Sequence, residues 1–371
     1  MVKIKIKILH FAPNNITVRS HLSFYDTDDL ENFYLVPNDS KILNLINKNI
    51  ILFKKIKDKK IAACYDEIKK IIYEVKPDVF ITSNQLPSLF VENFLLKNVP
   101  LTYYIQHGIW SFHETERLSK TTLMARLSKF HKVYINIQNC RMLNIKYENF
   151  IPINGNTQID YLLNNINLDD CKKRLHIEPL KKSILFVGNI KPRNFEEYPL
   201  IMNALLSFAE INNYQIYSKI KRPTIYGPNY KQNFKSIHEN KNITLLDRDC
   251  LLYEYFFCDL IIIQTTGTSF LESLTLNKPT LLCQILDHTD FLNVKKYRSF
   301  PQVNSIEELE QWLKKFNENN NFFVTSTFNE DRDIILKENL GHITQHPSAT
   351  TVILKTIFED FQKISNNNNI L

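Results

Sequence analysis

The chain has 371 residues, 44% hydrophobic and 23% charged, with a formal net charge of +7. That length holds two domains with their own cores, and the composition excludes a disordered chain. The lysine clusters, at Lys3, Lys5 and Lys7 and at Lys54, Lys55, Lys57, Lys59 and Lys60, read either as solvated faces or as a peripheral surface for anionic lipid or polymer. No aromatic-and-basic motif points to nucleic acid as a partner.

In chain order, Ile4 to Phe11 reads as a strand. Its apolar residues interleave with lysines, which fits neither a signal peptide nor a strand covered on both faces, so it is expected near a sheet edge or protruding from the sheet. Ile61 to Tyr73 has helical spacing, Asp78 to Thr82 is a strand and Pro87 to Leu96 a helix. Leu101 to Ile105 is a strand that ends in Gln106-His107-Gly108, and Val133 to Ile137 and Asn149 to Ile153 are two more. Residues 160–182, rich in Asn and Asp and then in Lys and Arg, read as a connection.

A second α/β pattern follows. Ser183 to Gly188 is a strand, Tyr198 to Ile211 a helix, and Tyr214 to Ile220 and Asn242 to Leu246 are strands, with a short helix at Leu251 to Phe257. The apolar run Leu260 to Ile263 reads as a buried parallel strand, followed by a polar turn around Gly267. Ser269 and Glu272 stand at the capping-box spacing, so a helix is expected to start there and to stop before Pro279. Thr280 to Cys283 is the next strand, and Ile306 to Phe316 and Thr350 to Ile364 are helical. The fold class is therefore α/β, with two doubly wound, Rossmann-like domains expected to face each other across a cleft. The boundaries are set at 1–165, a linker at 166–182, a second domain at 183–345 and a closing segment at 346–371.

Six cysteines occur, none paired at the CxxC spacing of a zinc or redox site, so reduced core thiols are expected. No window approaches the ~20 apolar residues of a spanning helix. The chain is expected in the cytoplasm, at most on the inner face of a membrane.

Only six glycines occur, and Gly108, Gly188 and Gly267 each follow a strand-like run almost at once. In an open α/β sheet, ligands sit at those carboxyl ends. The turn holding Thr266, Gly267, Thr268 and Ser269 offers backbone amides and hydroxyls at a helix N-terminus, where a phosphate binds well. The competing reading is that Ser269 and Glu272 only cap the helix. His107, beside a glycine at a strand end, can take a proton from a hydroxyl near neutral pH, or it can simply hold a loop by hydrogen bonding. Glu114 could orient it or serve instead, or lie on the surface. Lys191 follows the Gly188 loop, and Lys219 and Lys221 stand at the end of the next strand, where cations neutralise a leaving diphosphate. No residue set looks like a metal cage. Asp247-Arg-Asp249 reads as a turn before a helix.

The architecture resembles the GT-B class of nucleotide-dependent glycosyltransferases, chiefly through Ile184 to Gly188, Ile243 to Leu246 and Asp259 to Pro279. The resemblance implies that Thr266, Gly267, Thr268, Ser269, Glu272 and Lys278 stand where that class holds the donor's diphosphate and its sugar or ribose hydroxyls, while Gly188 reads as a point of close approach for the donor or for a neighbouring helix. It also implies a final helix packed back toward the first domain. Tyr104 to Gly108 is similar to the His-Gly segment of bacterial wall-polymer glycerophosphotransferases and related surface-carbohydrate transferases, where the histidine comes from the N-terminal domain. That family's second basic segment, a His-Pro pair, here reads Ser218-Lys-Ile-Lys-Arg-Pro223.

The expected activity is therefore a metal- and cofactor-independent transfer of a glycosyl or glycerophosphoryl group. A nucleotide-sugar or CDP-polyol is the donor, and a cell-surface glycan or lipid-linked molecule is the acceptor. The rivals are a nucleotide-sugar 2-epimerase of the same architecture, with Glu114 and Glu116 as its carboxylates, and an inactive glycan-binding or scaffolding protein.

Overall fold

A computed structural model describes residues 5–13, 15–24, 27–37, 49–53, 65–107, 123–175, 181–188, 197–220, 235–246, 250, 252–285, 292, 294–297, 299–319, 323, 325–343 and 347–368. The chain forms two units. One joins Met1–Tyr161 to Glu338–Leu371, and the other is Leu162–Lys337.

The first unit is built on seven strands: β1 (Ile6–Phe11), β2 (Leu30–Pro37), β3 (Ile50–Phe53), β4 (Val79–Thr82), β5 (Leu101–Ile105), β6 (Lys132–Asn136) and β7 (Phe150–Ile153). Their order is β3-β2-β1-β4-β5-β6-β7, and every pairing is parallel. β1 is thus an interior strand, not the edge strand its lysines suggest. Of those lysines only Lys7 lies inside it, half-buried, and its amide donates to the Asp78 carboxylate at 2.8 Å. The rest of β1 supplies both cores by alternation. Ile6 and Ile8 pack with Val79, Ile81, Tyr103 and Ile105 on one face. Leu9 and Phe11 pack with Phe80, Tyr104 and the Tyr65–Val75 helix on the other.

The final helix, Ala349–Asn368, covers the first of these faces with Ala349, Ile353 and Ile357, an i, i+4 stripe. Polar contacts fix its first turn and its middle. The Thr350 amide donates to Asp160 at 2.6 Å, and the Tyr103 hydroxyl donates to Asp360 at 2.8 Å. The Lys132 ammonium also reaches Asp360, at 3.0 Å.

The second unit carries β8 (Lys182–Gly188), β9 (Tyr214–Ile220), β10 (Ile243–Leu245), β11 (Leu260–Ile263), β12 (Thr280–Cys283) and β13 (Gln302–Val303). They form an all-parallel sheet in the order β10-β9-β8-β11-β12-β13. The stretch read as a connection holds a helix, Leu168–Arg174, whose cap is Asn167 accepting from the amides of Asp169 and Asp170. The helix Ser326–Leu340 is a further element absent from the sequence reading. The five described cysteines are free thiols.

Both units are thus doubly wound, as expected. Strand order reverses between β1 and β4 in the first and between β8 and β11 in the second. Ligands of such sheets bind outside the carboxyl ends at those two points. No helix among the described residues is long and apolar enough to cross a membrane.

Candidate functional site

At the reversal point of the first unit, four polar side chains come together, all fully or almost fully buried. His10 is the last residue but one of β1, Ser83 follows β4, His21 lies in the segment after β1, and Asn32 is the third residue of β2. His10 Nε2 lies 2.9 Å from Asn32 Oδ1, and His10 Nδ1 lies 2.9 Å from His21 Nδ1. His21 Nε2 lies 3.0 Å from the Ser83 hydroxyl. A carbonyl oxygen only accepts, so His10 carries a proton on Nε2, and a neutral His10 then accepts on Nδ1. His21, held neutral by its burial, in that case donates from Nδ1 and accepts from Ser83 on Nε2. Burial, then His10 and then His107 push the pKa of His21 well below the usual imidazole value. His10 is further clamped by the Tyr34 ring, stacked 4.7 Å away.

His107 joins this cluster through the same serine, its Nδ1 lying 2.9 Å from the Ser83 carbonyl oxygen. That carbonyl cannot donate, so Nδ1 carries hydrogen and Nε2 is the basic nitrogen. The strand end before it is fixed by Gln106, which donates to Asn139 Oδ1 at 2.7 Å and accepts from the Asn136 amide at 2.9 Å. Glu114, the expected helper of His107, lies outside the described residues, with all of 108–122.

At the reversal point of the second unit, Gly188 ends β8 and Gln264 follows β11. A Cβ on Gly188 would meet Gln264 Oε1 and the Phe186 ring at 2.9 Å, so the glycine serves the close approach of the glutamine. Beyond Gln264 the chain turns into the helix Thr268–Thr275, and here the expected capping box is corrected. The cap is Gly267, two residues before Ser269, with extended backbone and no side-chain cap. Ser269 lies inside the first turn, and Glu272 lies beyond it and is fully buried, so their spacing closes no box. A Cβ on Gly267 would touch nothing within 4 Å. The first intrahelical bond runs from the Leu271 amide to the Gly267 carbonyl, so the amides before it point out of the helix at an uncapped, positive end.

The remaining expected residues divide. Thr268 and Ser269 are half-exposed on the first turn, while Thr266 is buried and its hydroxyl accepts from the Leu292 amide at 3.1 Å. Lys219 lies within β9 and donates to Cys250 Sγ at 3.2 Å. Lys191 and Lys221 lie outside the described residues. Lys278 precedes β12 and so stands at the amino ends of the strands, the opposite end from Gly267. There it is largely buried, and burial lowers its pKa against the pull of Cys258 and Asp259.

Gln284, just past β12, was not singled out from sequence. It is 3% exposed, and neither its amide oxygen nor its nitrogen has a hydrogen-bond partner. His10, Ser83 and Gln284 share one sequence signal: a polar residue at or just after the end of an apolar strand; His21, beyond the helix Asn15–Arg19, has no such signal.

No protein-family model matches the sequence, and no curated protein matches it. Solved structures do share its fold. The UDP-GlcNAc 2-epimerase of Neisseria meningitidis, bound to UDP-GlcNAc, is similar with a TM-score of 0.61 at 14% identity, over 96% of this chain and 100% of that one. The wall teichoic acid polymerase TagF is similar with a TM-score of 0.61 at 13% identity, over 97% and 90%. A glycosyltransferase of Rickettsia africae is similar with a TM-score of 0.54 at 13% identity, over 96% and 99%. The fold is thus the one that GT-B glycosyltransferases and nucleotide-sugar 2-epimerases share.

Proposed function

We propose that the chain is a nucleotide-dependent transferase. It moves a glycosyl or glycerophosphoryl group from a nucleotide-activated donor to a hydroxyl of a cell-surface glycan or lipid-linked acceptor. The observation that carries this reading is the uncapped helix N-terminus at Gly267, open above the glycine and placed at a strand's carboxyl end. The amides there, with the Thr268 and Ser269 hydroxyls, would hold the donor's phosphates and stabilise the charge that develops as the nucleotide leaves. His107 would take the acceptor's proton on Nε2 while its Nδ1–H stays bonded to the Ser83 carbonyl. The freed oxygen pair bonds to the transferred carbon or phosphorus, and the bond from that atom to the nucleotide oxygen breaks. Glu114, Lys191, Lys219 and Lys221 are retained as candidate contributors. No metal or cofactor is invoked.

Calorimetric titration with UDP, CDP, GDP and CMP and their sugar or polyol conjugates tests the reading. One nucleotide is expected to bind, and its affinity is expected to fall in a Gly267→Val variant that blocks the approach. If none binds, the reading is lost.

A second reading, a nucleotide-sugar 2-epimerase, is favoured by the end-to-end match to the Neisseria enzyme. Incubation with UDP-GlcNAc and no acceptor separates the two, since only an epimerase changes the sugar.

A further inference from the structure

The buried cluster of the first unit has a direction and an end point. With His10 and His21 neutral, proton donation runs from the Ser83 hydroxyl to His21, from His21 to His10, and from His10 to the Asn32 oxygen. The end of the series is Ser83, and the other polar group of the same residue, its carbonyl, accepts from His107 Nδ1. One residue is therefore tied by its side chain to a fixed relay and by its backbone to the histidine read above as the base. Without such a tie, a neutral imidazole in water favours the other tautomer, with its proton on Nε2, and that form has no lone pair to offer a substrate hydroxyl there.

We propose that Ser83 is the positioning residue of His107. Held by the Asn32–His10–His21 relay, it keeps its carbonyl aimed at Nδ1 and so presents Nε2 as the proton acceptor. The functional half of this statement rests on the reading of His107 as the base, whereas the tautomer does not.

The groups that meet around the relay are Asn32 and Tyr34 from β2, Phe24 after His21, and Ser83 from the β4 end. His21 and His107 repel one another when charged.

The test is long-range ¹H–¹⁵N NMR of the full chain labelled in histidine, at pH 8, with the His107 signals assigned by their loss in His107→Gln. The expected result is a protonated Nδ1 and an unprotonated Nε2 at His107. In Ser83→Ala and in His21→Phe the signals should move toward a mixture or toward the Nε2–H form, and Ser83→Thr, which keeps the hydroxyl, should restore the original pattern. A His107 found with its proton on Nε2 in the unmodified chain overturns the proposal, and so does a pattern unchanged in both variants. Once a donor is found, Ser83→Ala should lower kcat about tenfold or more with KM within about twofold, since a misplaced general base costs turnover rather than binding. The expected tautomer in a chain without transfer activity would remove the proposed function and keep the positioning; a wrong tautomer in an active chain would do the reverse.

Discussion

Gly188 and Gln264 meet at the one place where the strand order of the second sheet reverses. A methyl group on the glycine would stand 2.9 Å from the glutamine's Oε1 and equally close to the Phe186 ring. The glutamine can swing, but Phe186 is fully buried in the core and has no such freedom. Gly188→Ala is therefore expected to destabilise the second unit by about 1–3 kcal/mol, the usual range for overpacking. Nucleotide binding should also weaken as Gln264 is displaced. Urea unfolding of the chain and calorimetry with the best-binding nucleotide check the two halves separately. Wild-type stability in this variant would mean that the neighbours relax freely.

Gly267 poses the opposite case. Its backbone is extended, any residue can adopt it, and a side chain there meets open space. Aspartate at this position would cap the helix and set a negative charge on its positive end, which stabilises by about 0.5–1 kcal/mol. The same carboxylate would occupy and repel the anion site of the proposed function. Gly267→Asp is thus expected to raise the midpoint of thermal unfolding while nucleotide affinity falls by about a hundredfold. A variant that is more stable and still binds with wild-type affinity would show that the phosphates lie elsewhere.

Much of the architecture was legible because parallel strands covered on both faces are short, continuous apolar runs. Leu260 to Ile263, Thr280 to Cys283 and Tyr214 to Ile220 coincide with β11, β12 and β9 for that reason. β2 and β3 were missed: β2 carries Glu31 and Asn32 early in its length, and Asn32 is a polar ligand of His10 that breaks the apolar signature. β1 was misplaced because charged residues counted toward its pattern although Lys5 lies just outside the strand. Within the site, His107 and the Gly267 turn were readable from local order alone. The relay was not, since His10, His21, Asn32 and Ser83 are brought together only by the parallel register of β1 with β2 and β4.

Gln284 is a cost to the chain. Both polar ends of its amide are buried without partners, and leaving such groups unsatisfied costs about 1–3 kcal/mol. Register pairs Ile263 with Leu282, which sets Gln284 beside the turn that leads to Gly267. Gln284→Leu, similar in volume and without the amide, is expected to stabilise the chain by about 1 kcal/mol or more. If the amide is kept for the donor, the same change should weaken nucleotide binding by about tenfold. Equal loss or gain in both measurements would count against a ligand role.

His21 sets a pH limit on the first unit. An imidazole of the unfolded chain titrates near about 6.5. In the fold His21 is held well below that, first by burial and then by His10 and His107. Above about pH 6.5 neither state binds the proton and this residue adds no slope. As the pH falls below that point, the unfolded chain takes up a proton that the folded one refuses. Stability then drops by up to about 1.4 kcal/mol per pH unit until the folded pKa is reached. Asp78 and Asp160 act in the other sense. Burial raises both carboxyls, so the folded state takes their protons first, and their contribution grows as the pH falls through those raised values. The two effects separate by residue: hydrogen exchange in peptides spanning 6–11 and 79–83 should quicken between pH 7 and 5.5 once corrected for intrinsic rates. His21→Gln should flatten that dependence, while Asp160→Asn should leave it in place. A slope that survives the loss of His21 would place the acid-sensitive group elsewhere in the unit.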